Sequence, residues 1–376
     1  IMAAVTKAIR TKWFSDAMHR LTGGRFSKII CFLTGHPVDV MSGEVLTERL
    51  EAELPGAIPL TLERAYYSRS RYVSPLGPGW THPLDASVTE GLGELVVRLP
   101  DGRAREFLPL AVGASHWDDI ERHTLERSAK AYHLHTHDGL RYDFEPSDVP
   151  PPPRDPSLHP LRADVDHPSH RLTRIVDRCG NIVTFRYEGR RLAEVRDTHG
   201  RALHVRWTAD RRRWAALSVD DVVIVRYAYD RDGMLASATD GAGASMAYAY
   251  RGGVLTRETD GNGLSFHFEY DVEAPEGWCA RTWGDGGIYD RRITYDEARH
   301  VTLVDEARGG RTHYFGNALG LVERVIDPTG VETRYAYDAS CRKVSETDGL
   351  GFTHAWRYDD RGNCVLERDA AGAETR

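Results

Sequence analysis

The strongest constraint on the fold is a motif that returns with a period of about 21 residues through the C-terminal part of the chain. Three aspartates and three glycines keep this spacing: Asp327, Asp348, Asp369, Gly330, Gly351 and Gly372. A period of this length fits one β-hairpin and is too short for a propeller blade. The pattern therefore predicts an array of small stacked units in place of one globular core.

An aromatic residue marks most of the units, and in several units aspartate follows it. Tyr-Asp pairs occur at Tyr295, Tyr337 and Tyr358, and Gly316-Asn317 replaces the pair at the one missing step. Earlier aromatic residues keep nearly the same interval, namely Tyr187, Trp207, Tyr229, Tyr250 and Tyr270. The repeats are thus predicted to occupy residues 170–376, with an insertion near 272–290.

Each unit combines turn chemistry with strand alternation. An Asp-x-x-Gly turn, as at Asp348, lets glycine adopt a positive φ. In the next strand, Val331, Thr333, Tyr335 and Tyr337 alternate onto one face. One such hairpin is marginally stable alone, so stacking must bury its face. The fold class predicted is all-β, with stacked hairpins that form part of a large spiral sheet.

Three further regions precede the repeats. Residues 1–35 place apolar side chains at helical spacing and predict a short amphipathic helix, which serves either as a plug or as a helix packed on its own domain. Residues 36–148 alternate in the manner of antiparallel strands. Residues 149–169 are rich in proline and predict a linker or surface loop.

Charge and cysteine usage exclude several classes of protein. The net charge of −7 argues against a general nucleic-acid binder. Five scattered cysteines form no CxxC motif, which predicts neither a disulfide framework nor a structural zinc site and favours folding in a reducing cytoplasm. No secretory signal or apolar membrane span is visible. The chain breaks off within its pattern, and we expect it to be a fragment of a longer protein.

Three alternating histidines raise the question of a metal site. His133, His135 and His137 could share one face of a strand. A polar strand face near a turn explains them better, and we predict no metal and no cofactor.

The repeat unit resembles the YD repeat of Rhs, teneurin and wall-associated proteins, as in the run Gly351, Thr353, Tyr358-Asp359, Gly362-Asn363 and Val365. The residues Pro37, Val38, Gly43 and Glu44 match a P-V-x-x-x-x-G-E element at the start of bacterial Rhs shells. Residues 62–70, 77–80 and 282–287 match further segments of these proteins. The chain thus resembles the N-terminal part of a type VI secretion Rhs effector shell.

This resemblance implies a structural function. In that family the repeats form a hollow β-cocoon around a C-terminal toxin of the same polypeptide, and an N-terminal plug closes one end. Expected partners are that toxin, a PAAR/VgrG spike, a chaperone and an immunity protein, with no nucleic acid and no small-molecule substrate. The expected location is the bacterial cytoplasm, followed by secretion into a target cell. The segment contains no recognisable substrate-directed enzyme, and the toxin's activity cannot be inferred from it.

The resemblance also suggests self-cleavage. In some relatives the P-V-x-x-x-x-G-E element marks a cut, which here would fall near His36 and Pro37, with Glu44 in a catalytic or supporting role. A carboxyl group in a poorly hydrated shell can act as a general acid or base. The alternative is that Gly43 and Glu44 are simply a turn and the first residue of a strand.

A second function from another class stays open at this point. A cell-surface YD-repeat protein for adhesion or carbohydrate binding would use exposed tyrosine or tryptophan side chains. It would also carry a signal peptide upstream. The cysteine pattern and the Rhs-like start favour the shell.

Overall fold

The computed structural model describes residues 37–91, 93–147, 149 and 168–376. This part of the chain is built from antiparallel β-strands, with 3-10 turns at Pro83–Asp85 and Asp285–Gly287 and no α-helix. The predicted all-β class is confirmed. The predicted N-terminal helix lies outside the described residues, as does most of the proline-rich segment, and the predicted domain limits stay predictions. No helix within the described ranges has both the length and the apolar character needed to cross a membrane.

The strands are β1 (Leu46–Leu54), β2 (Leu60–Tyr67), β3 (Val73–Ser74), β4 (Gly77–Pro78), β5 (Trp80–Thr81), β6 (Ser87–Glu90), β7 (Leu95–Arg98), β8 (Ala104–Phe107), β9 (Ser115–Asp118), β10 (His123–Arg127), β11 (Tyr132–His135), β12 (Arg141–Pro146), β13 (His170–Val176), β14 (Ile182–Glu188), β15 (Arg191–Arg196), β16 (Ala202–Trp207), β17 (Trp214–Val219), β18 (Val222–Tyr229), β19 (Leu235–Asp240), β20 (Ser245–Arg251), β21 (Val254–Thr259), β22 (Ser265–Tyr270), β23 (Cys279–Gly284), β24 (Arg291–Asp296), β25 (Val301–Glu306), β26 (Gly310–Gly316), β27 (Val322–Ile326), β28 (Glu332–Tyr337), β29 (Lys343–Thr347), β30 (Thr353–Tyr358), β31 (Cys364–Arg368) and β32 (Glu374–Thr375). From β9 to β32 each strand pairs with the next in a continuous antiparallel sheet, and β13 also pairs with β6.

The aspartate of each turn holds the turn closed. The Asp348 Oδ1 atom accepts hydrogen bonds from the backbone N–H groups of Leu350 and Phe352, both at 2.9 Å. Gly351 has a φ of 86° and donates its N–H to the Asp348 carbonyl at 3.0 Å. The same two side-chain bonds recur at ten further positions, namely Asp177, Asp197, Asp230, Asp240, Asp260, Asn317, Asp327, Asp338, Asp359 and Asp369.

The tyrosine of each unit links one hairpin to the preceding one. Its hydroxyl donates to a backbone carbonyl 15 residues earlier, for example from Tyr358 to Lys343 at 2.9 Å. Tyr187, Tyr229, Tyr250, Tyr270 and Tyr337 do the same, and Tyr295 reaches back 16 residues. Trp207 replaces tyrosine without losing the bond, because its Nε1–H donates to the Leu192 carbonyl at 2.8 Å.

These links predict a modest and measurable contribution from each hydroxyl. Replacing Tyr187 with phenylalanine removes its 2.8 Å bond to the Leu172 carbonyl, and we expect a loss of about 1 kcal/mol in the free energy of unfolding. Tyr289 is 65% exposed, and Tyr289→Phe is the control that should change nothing measurable. Equal urea midpoints for the two variants would show that the link contributes no stability.

A β-bulge accompanies the repeat tyrosine and bends the sheet. The pairing register shifts immediately before Tyr187, Tyr229 and Tyr250, and again before Tyr337 and Tyr358. A bulge bends its strand and increases the local right-handed twist. Because the bulge recurs in most of the hairpins, its bends add up along the array and curve the sheet.

The curved sheet returns to contact its own beginning. The turn between β9 and β10 meets repeat turns from near the end of the chain, where Ser340 Oγ donates to Asp119 Oδ2 at 2.6 Å. Arg122 donates to the Arg361 carbonyl at 3.0 Å and to Asn363 Oδ1 at 2.6 Å. We call these contacts the seam, and they show that late repeats lie against the turn between β9 and β10.

The N-terminal strands β1, β2 and β5 form a separate sheet that packs on the repeats. One hydrophobic cluster unites Leu62 and Trp80 from this sheet with Leu217, Leu235 and Leu255 from the repeats. Trp80 packs edge-on against Tyr248 and donates its Nε1–H to the Tyr250 hydroxyl at 2.8 Å. The apolar face of the early repeats is therefore covered by the chain's own N-terminal part.

Candidate functional site

The P-V-x-x-x-x-G-E element forms a tight hairpin, residues 37–46, which we call the N-terminal hairpin. Val38 and Val45 form an antiparallel bridge, and Leu46 donates its N–H to the Pro37 carbonyl at 2.9 Å. Asp39 donates its N–H to the Glu44 carbonyl at 2.8 Å. The backbone therefore places Glu44 on the arm of the hairpin opposite Pro37, close to the position that pairs with Pro37.

Asp39 and Gly43 shape the turn of this hairpin. The Asp39 carboxylate accepts the Met41 N–H at 2.8 Å and the Ser42 hydroxyl at 2.7 Å. Gly43 has a φ of 69°, and a Cβ atom there would lie 2.8 Å from the Cβ of Trp278. Glycine is needed at this position for both reasons, backbone conformation and space.

Side chains and backbone from elsewhere in the chain hold the hairpin in place. Cys279 donates its N–H to the Gly43 carbonyl at 3.0 Å, and the Thr302 hydroxyl donates to the Val40 carbonyl at 2.6 Å. The Arg69 guanidinium donates to the Ser42 carbonyl at 2.7 Å. The hairpin is thus fixed by three separate segments, two of them from the repeats.

Glu44 is fully buried at this position. Burial raises the pKa values of Tyr66, Tyr67 and Tyr270, and the negative charge of the nearby Glu44 raises them further. Glu44 is one of the residues that line a pocket of about 430 Å³, together with Arg69 and Glu276, and both of its carboxylate oxygens are shielded from solvent. A general base must lie within hydrogen-bond reach of the water molecule that it deprotonates.

A nearby thiol is unsuited to nucleophilic chemistry. Cys279 is buried, and burial raises the pKa of its thiol to about 12. Because the thiolate is the reactive form, this cysteine is inert near neutral pH. Cys279 contributes to the site through its backbone N–H, which donates to the Gly43 carbonyl.

The structure brings the predicted motif residues Pro37, Val38, Gly43 and Glu44 together in one hairpin, while His36 lies outside the described residues. The catalytic role of Glu44 and the cut between His36 and Pro37 stay predictions.

The three histidines weighed as metal ligands have different neighbours. His133 Nδ1 lies 2.7 Å from Asp143 Oδ1, and His135 Nε2 lies 3.4 Å from Glu126 Oε2. The His137 ring stacks on His123, with 6.2 Å between the ring centroids. Among the described residues, no group of three or more histidine, cysteine or acidic side chains is arranged to hold a metal ion.

Sequence reasoning missed a buried ionic cluster between the N-terminal sheet and the repeats. Arg64 donates to Glu51 at 2.5 Å and to the Tyr248 hydroxyl at 2.8 Å. The Tyr227 hydroxyl donates to Glu51 at 2.6 Å, and His82 Nε2 lies 3.5 Å from the same carboxylate. We call these five residues the ionic cluster.

The cluster keeps Glu51 ionised within the core. Burial alone would raise the pKa of Glu51, but hydrogen bonds and charges from His82, Arg64 and Tyr227 outweigh burial and lower it. Three members come from the N-terminal part and two from the repeats, so the cluster ties the two parts together.

Two family models match the chain. Residues 35–107 match a domain of unknown function, DUF6531, and residues 316–353 match the RHS repeat. The first match contains the N-terminal hairpin and most of the ionic cluster, and the second contains the seam residue Ser340.

Two of the curated proteins that are similar to the chain show the extent of the match. Double-stranded DNA deaminase toxin A of Burkholderia cenocepacia (strain H111) is 27% identical over 65% of this chain and 17% of its own length. Probable deoxyribonuclease RhsB of Dickeya dadantii (strain 3937) is 27% identical over 93% of this chain and 23% of its own length. The chain therefore spans less than a quarter of either relative.

A solved structure, the crystal structure of TcdB2-TccC3 without its hypervariable C-terminal region, aligns with 87% of this chain and 22% of its own. The TM-score is 0.40 and the sequence identity is 10%.

Proposed function

Because the chain belongs to the Rhs/YD-repeat family, we propose that it forms part of the wall of a hollow β-shell that encloses a toxin. The toxin would be the C-terminal domain of the same, longer polypeptide. The similar proteins are named as a deaminase toxin and a probable deoxyribonuclease, which supports a toxic cargo and leaves its chemistry open.

The observation that carries the proposal is the seam. A flat sheet would never bring residue 122 beside residues 361 and 363, whereas a spiral wall must do so once per turn. A sheet that meets itself in this way surrounds a space, and further repeats would extend the wall around it.

The aromatic side chains on the inner face of the wall become less buried along the chain, which supports an enclosed space for the toxin. The side chains compared here stand two positions before the repeat tyrosine of their unit. Tyr227 and Tyr248 are buried beneath the N-terminal sheet, whereas Tyr335 and Trp356 are only half-buried. Lys343 lies between these last two rings, with its Nζ atom 4.7 Å from the Trp356 ring centroid and 5.8 Å from that of Tyr335. A mixed aromatic and charged lining can contact a polypeptide without forming a dry core with it.

We also propose how the toxin is delivered. The element at residues 37–44 favours release through a type VI secretion system, with a PAAR/VgrG spike, a chaperone and an immunity protein as partners. The protein would fold in the bacterial cytoplasm and then be secreted into a target cell.

Self-cleavage between His36 and Pro37 is a further part of the proposal. Hydrolysis would add the hydroxyl of a water molecule to the His36 carbonyl carbon and a proton to the Pro37 nitrogen. The Glu44 carboxylate could accept the proton of the attacking water and return it to the departing nitrogen. The presence of Glu44 among the residues that line a pocket supports this role.

Limited proteolysis of the full-length protein tests the enclosure. We expect the C-terminal toxin segment to resist a protease concentration that digests the same segment expressed alone. Arg122→Ala removes the seam bonds to Arg361 and Asn363, so it should expose the segment and speed its digestion by about tenfold. Arg357→Ala, which alters an exposed side chain on the same sheet, is the control. Enclosure is refuted if the intact protein loses its toxin segment as fast as the isolated segment does.

A further inference from the structure

An interruption of the tyrosine series coincides with the place where the N-terminal hairpin docks. Gly316-Asn317 stands where the units at Tyr295, Tyr337 and Tyr358 have tyrosine and aspartate. Asn317 performs the turn function of the aspartate, because its Oδ1 atom accepts the N–H groups of Leu319 and Leu321 at 2.9 and 3.1 Å. The turn is therefore preserved at this unit, and what differs is the absence of a tyrosine ring at Gly316.

Backbone conformation does not require glycine at this step. Gly316 is absent from the residues with positive φ, so its backbone would accept any side chain. What it lacks is space, since a Cβ atom would lie 2.2 Å from Met41 Cε and 3.1 Å from Met41 Sδ. The side chain of Met41 therefore occupies the position that a repeat tyrosine would need.

Neighbouring strands complete the docking position. Thr302 on β25 binds the Val40 carbonyl, and Cys279 on β23 binds the Gly43 carbonyl. Together with Gly316 on β26, these residues contact three successive parts of the hairpin turn. We call this set the socket.

We propose that the socket couples the N-terminal hairpin to the folding of the repeats, so that the hairpin becomes ordered only after the wall has formed through β26. Met41 lies near the start of the described chain and Gly316 lies at the end of β26. The contact of Met41 with Gly316 therefore forms only once the chain up to β26 has reached its folded position, whereas the bond from Arg69 to Ser42 lies within the N-terminal part. The inference rests on the proposed function in one respect: the cleavage proposed between His36 and Pro37 becomes a late event that follows the formation of the wall.

A tyrosine placed in the socket tests this coupling in the full-length protein. Gly316→Tyr restores the repeat consensus but collides with Met41, whereas Gly316→Ala needs only a shift of the flexible Met41 side-chain end. In Gly316→Tyr we expect hydrogen exchange at the Gly43 and Leu46 amides to accelerate by about tenfold or more. Cleavage at Pro37 should slow by about tenfold to a hundredfold, because small displacements of a reacting group have effects of this size.

Two further variants make the result specific. Met41→Gly combined with Gly316→Tyr frees the space and should restore much of the hairpin's protection. His313→Tyr adds the same ring to the same strand on the face shared with Phe315, and it should leave the hairpin unchanged. If hydrogen exchange at the Gly43 and Leu46 amides were unchanged in Gly316→Tyr, the proposed coupling through the socket would be wrong. It would also be wrong if the double variant did not restore the protection of these amides. If exchange responds as expected while no variant, including the natural sequence, is cleaved, the socket stands and the self-cleavage proposal fails.

Discussion

Glu44→Gln in the full-length protein is expected to slow cleavage between His36 and Pro37 by about 10²- to 10⁴-fold, the usual contribution of a general acid–base group. The amide keeps the shape of the side chain but can no longer accept a proton. The measurement is the mass of the N-terminal fragment over time, together with the first residue of the larger product, which should be Pro37.

A second glutamate at the same pocket provides the control. Glu276 lines the pocket with Glu44, but about half of its side chain is exposed. Glu276→Gln should therefore cleave at the natural rate. If Glu44→Gln is cleaved at the natural rate, Glu44 has no catalytic role and is only part of the turn and strand of the hairpin. This is the alternative that the sequence left open.

Arg64→Met is expected to destabilise the fold by about 3–5 kcal/mol, because it removes the guanidinium that pairs with the buried Glu51 carboxylate. Arg64 and Glu51 are both almost completely buried, with side-chain exposures of 4% and 2%. Arg368→Met breaks a 2.8 Å ion pair with Glu374 that is largely exposed, and it should cost about 1 kcal/mol or less. Chemical denaturation of the two variants compares these losses directly.

A double variant separates the effect of the unpaired charge on stability from the effect of altered packing. Arg64→Met with Glu51→Leu replaces both ions by apolar side chains, a change that is often neutral or stabilising for a buried pair. We expect it to recover a large part of the loss. An Arg64→Met variant no less stable than Arg368→Met would show that the ionic cluster does not hold the two parts together.

The ionic cluster also predicts a dependence on pH. The pKa of Glu51 is lowered in the folded chain relative to its ordinary value of 4.5. Its carboxylate therefore stabilises the fold at pH values above 4.5 and loses this effect as the pH falls through the lowered value. Arg64→Met should reduce this acid-dependent part of the unfolding free energy, since it removes one of the groups that lower the pKa.

Local features of the repeats could be predicted from the sequence because they depend on neighbouring residues. The Asp-x-x-Gly turns, the alternation of the strands and the repeat period follow from glycine's positive φ and from strand geometry. Trp207 belonged to the tyrosine series by spacing alone, and the structure gives the reason, since its N–H makes the same bond to a preceding carbonyl.

Contacts between distant segments could not be predicted in the same way. Nothing local indicates that Met41 fills the space at Gly316, although the missing tyrosine was visible as an irregularity. Arg64 did leave a signal, since it alternates with Leu60, Leu62 and Tyr66 on one face of β2, and all four side chains are buried. A charged residue on an apolar strand face predicts a buried partner, but only the fold identifies Glu51 and Tyr248 as that partner.

Cryo-electron microscopy of the full-length protein tests the central claim most directly. The account predicts a closed, hollow β-shell in which residues 37–376 form about one turn of the wall, with density for the C-terminal segment inside it. An open sheet, or a C-terminal segment folded outside the wall, would contradict the account.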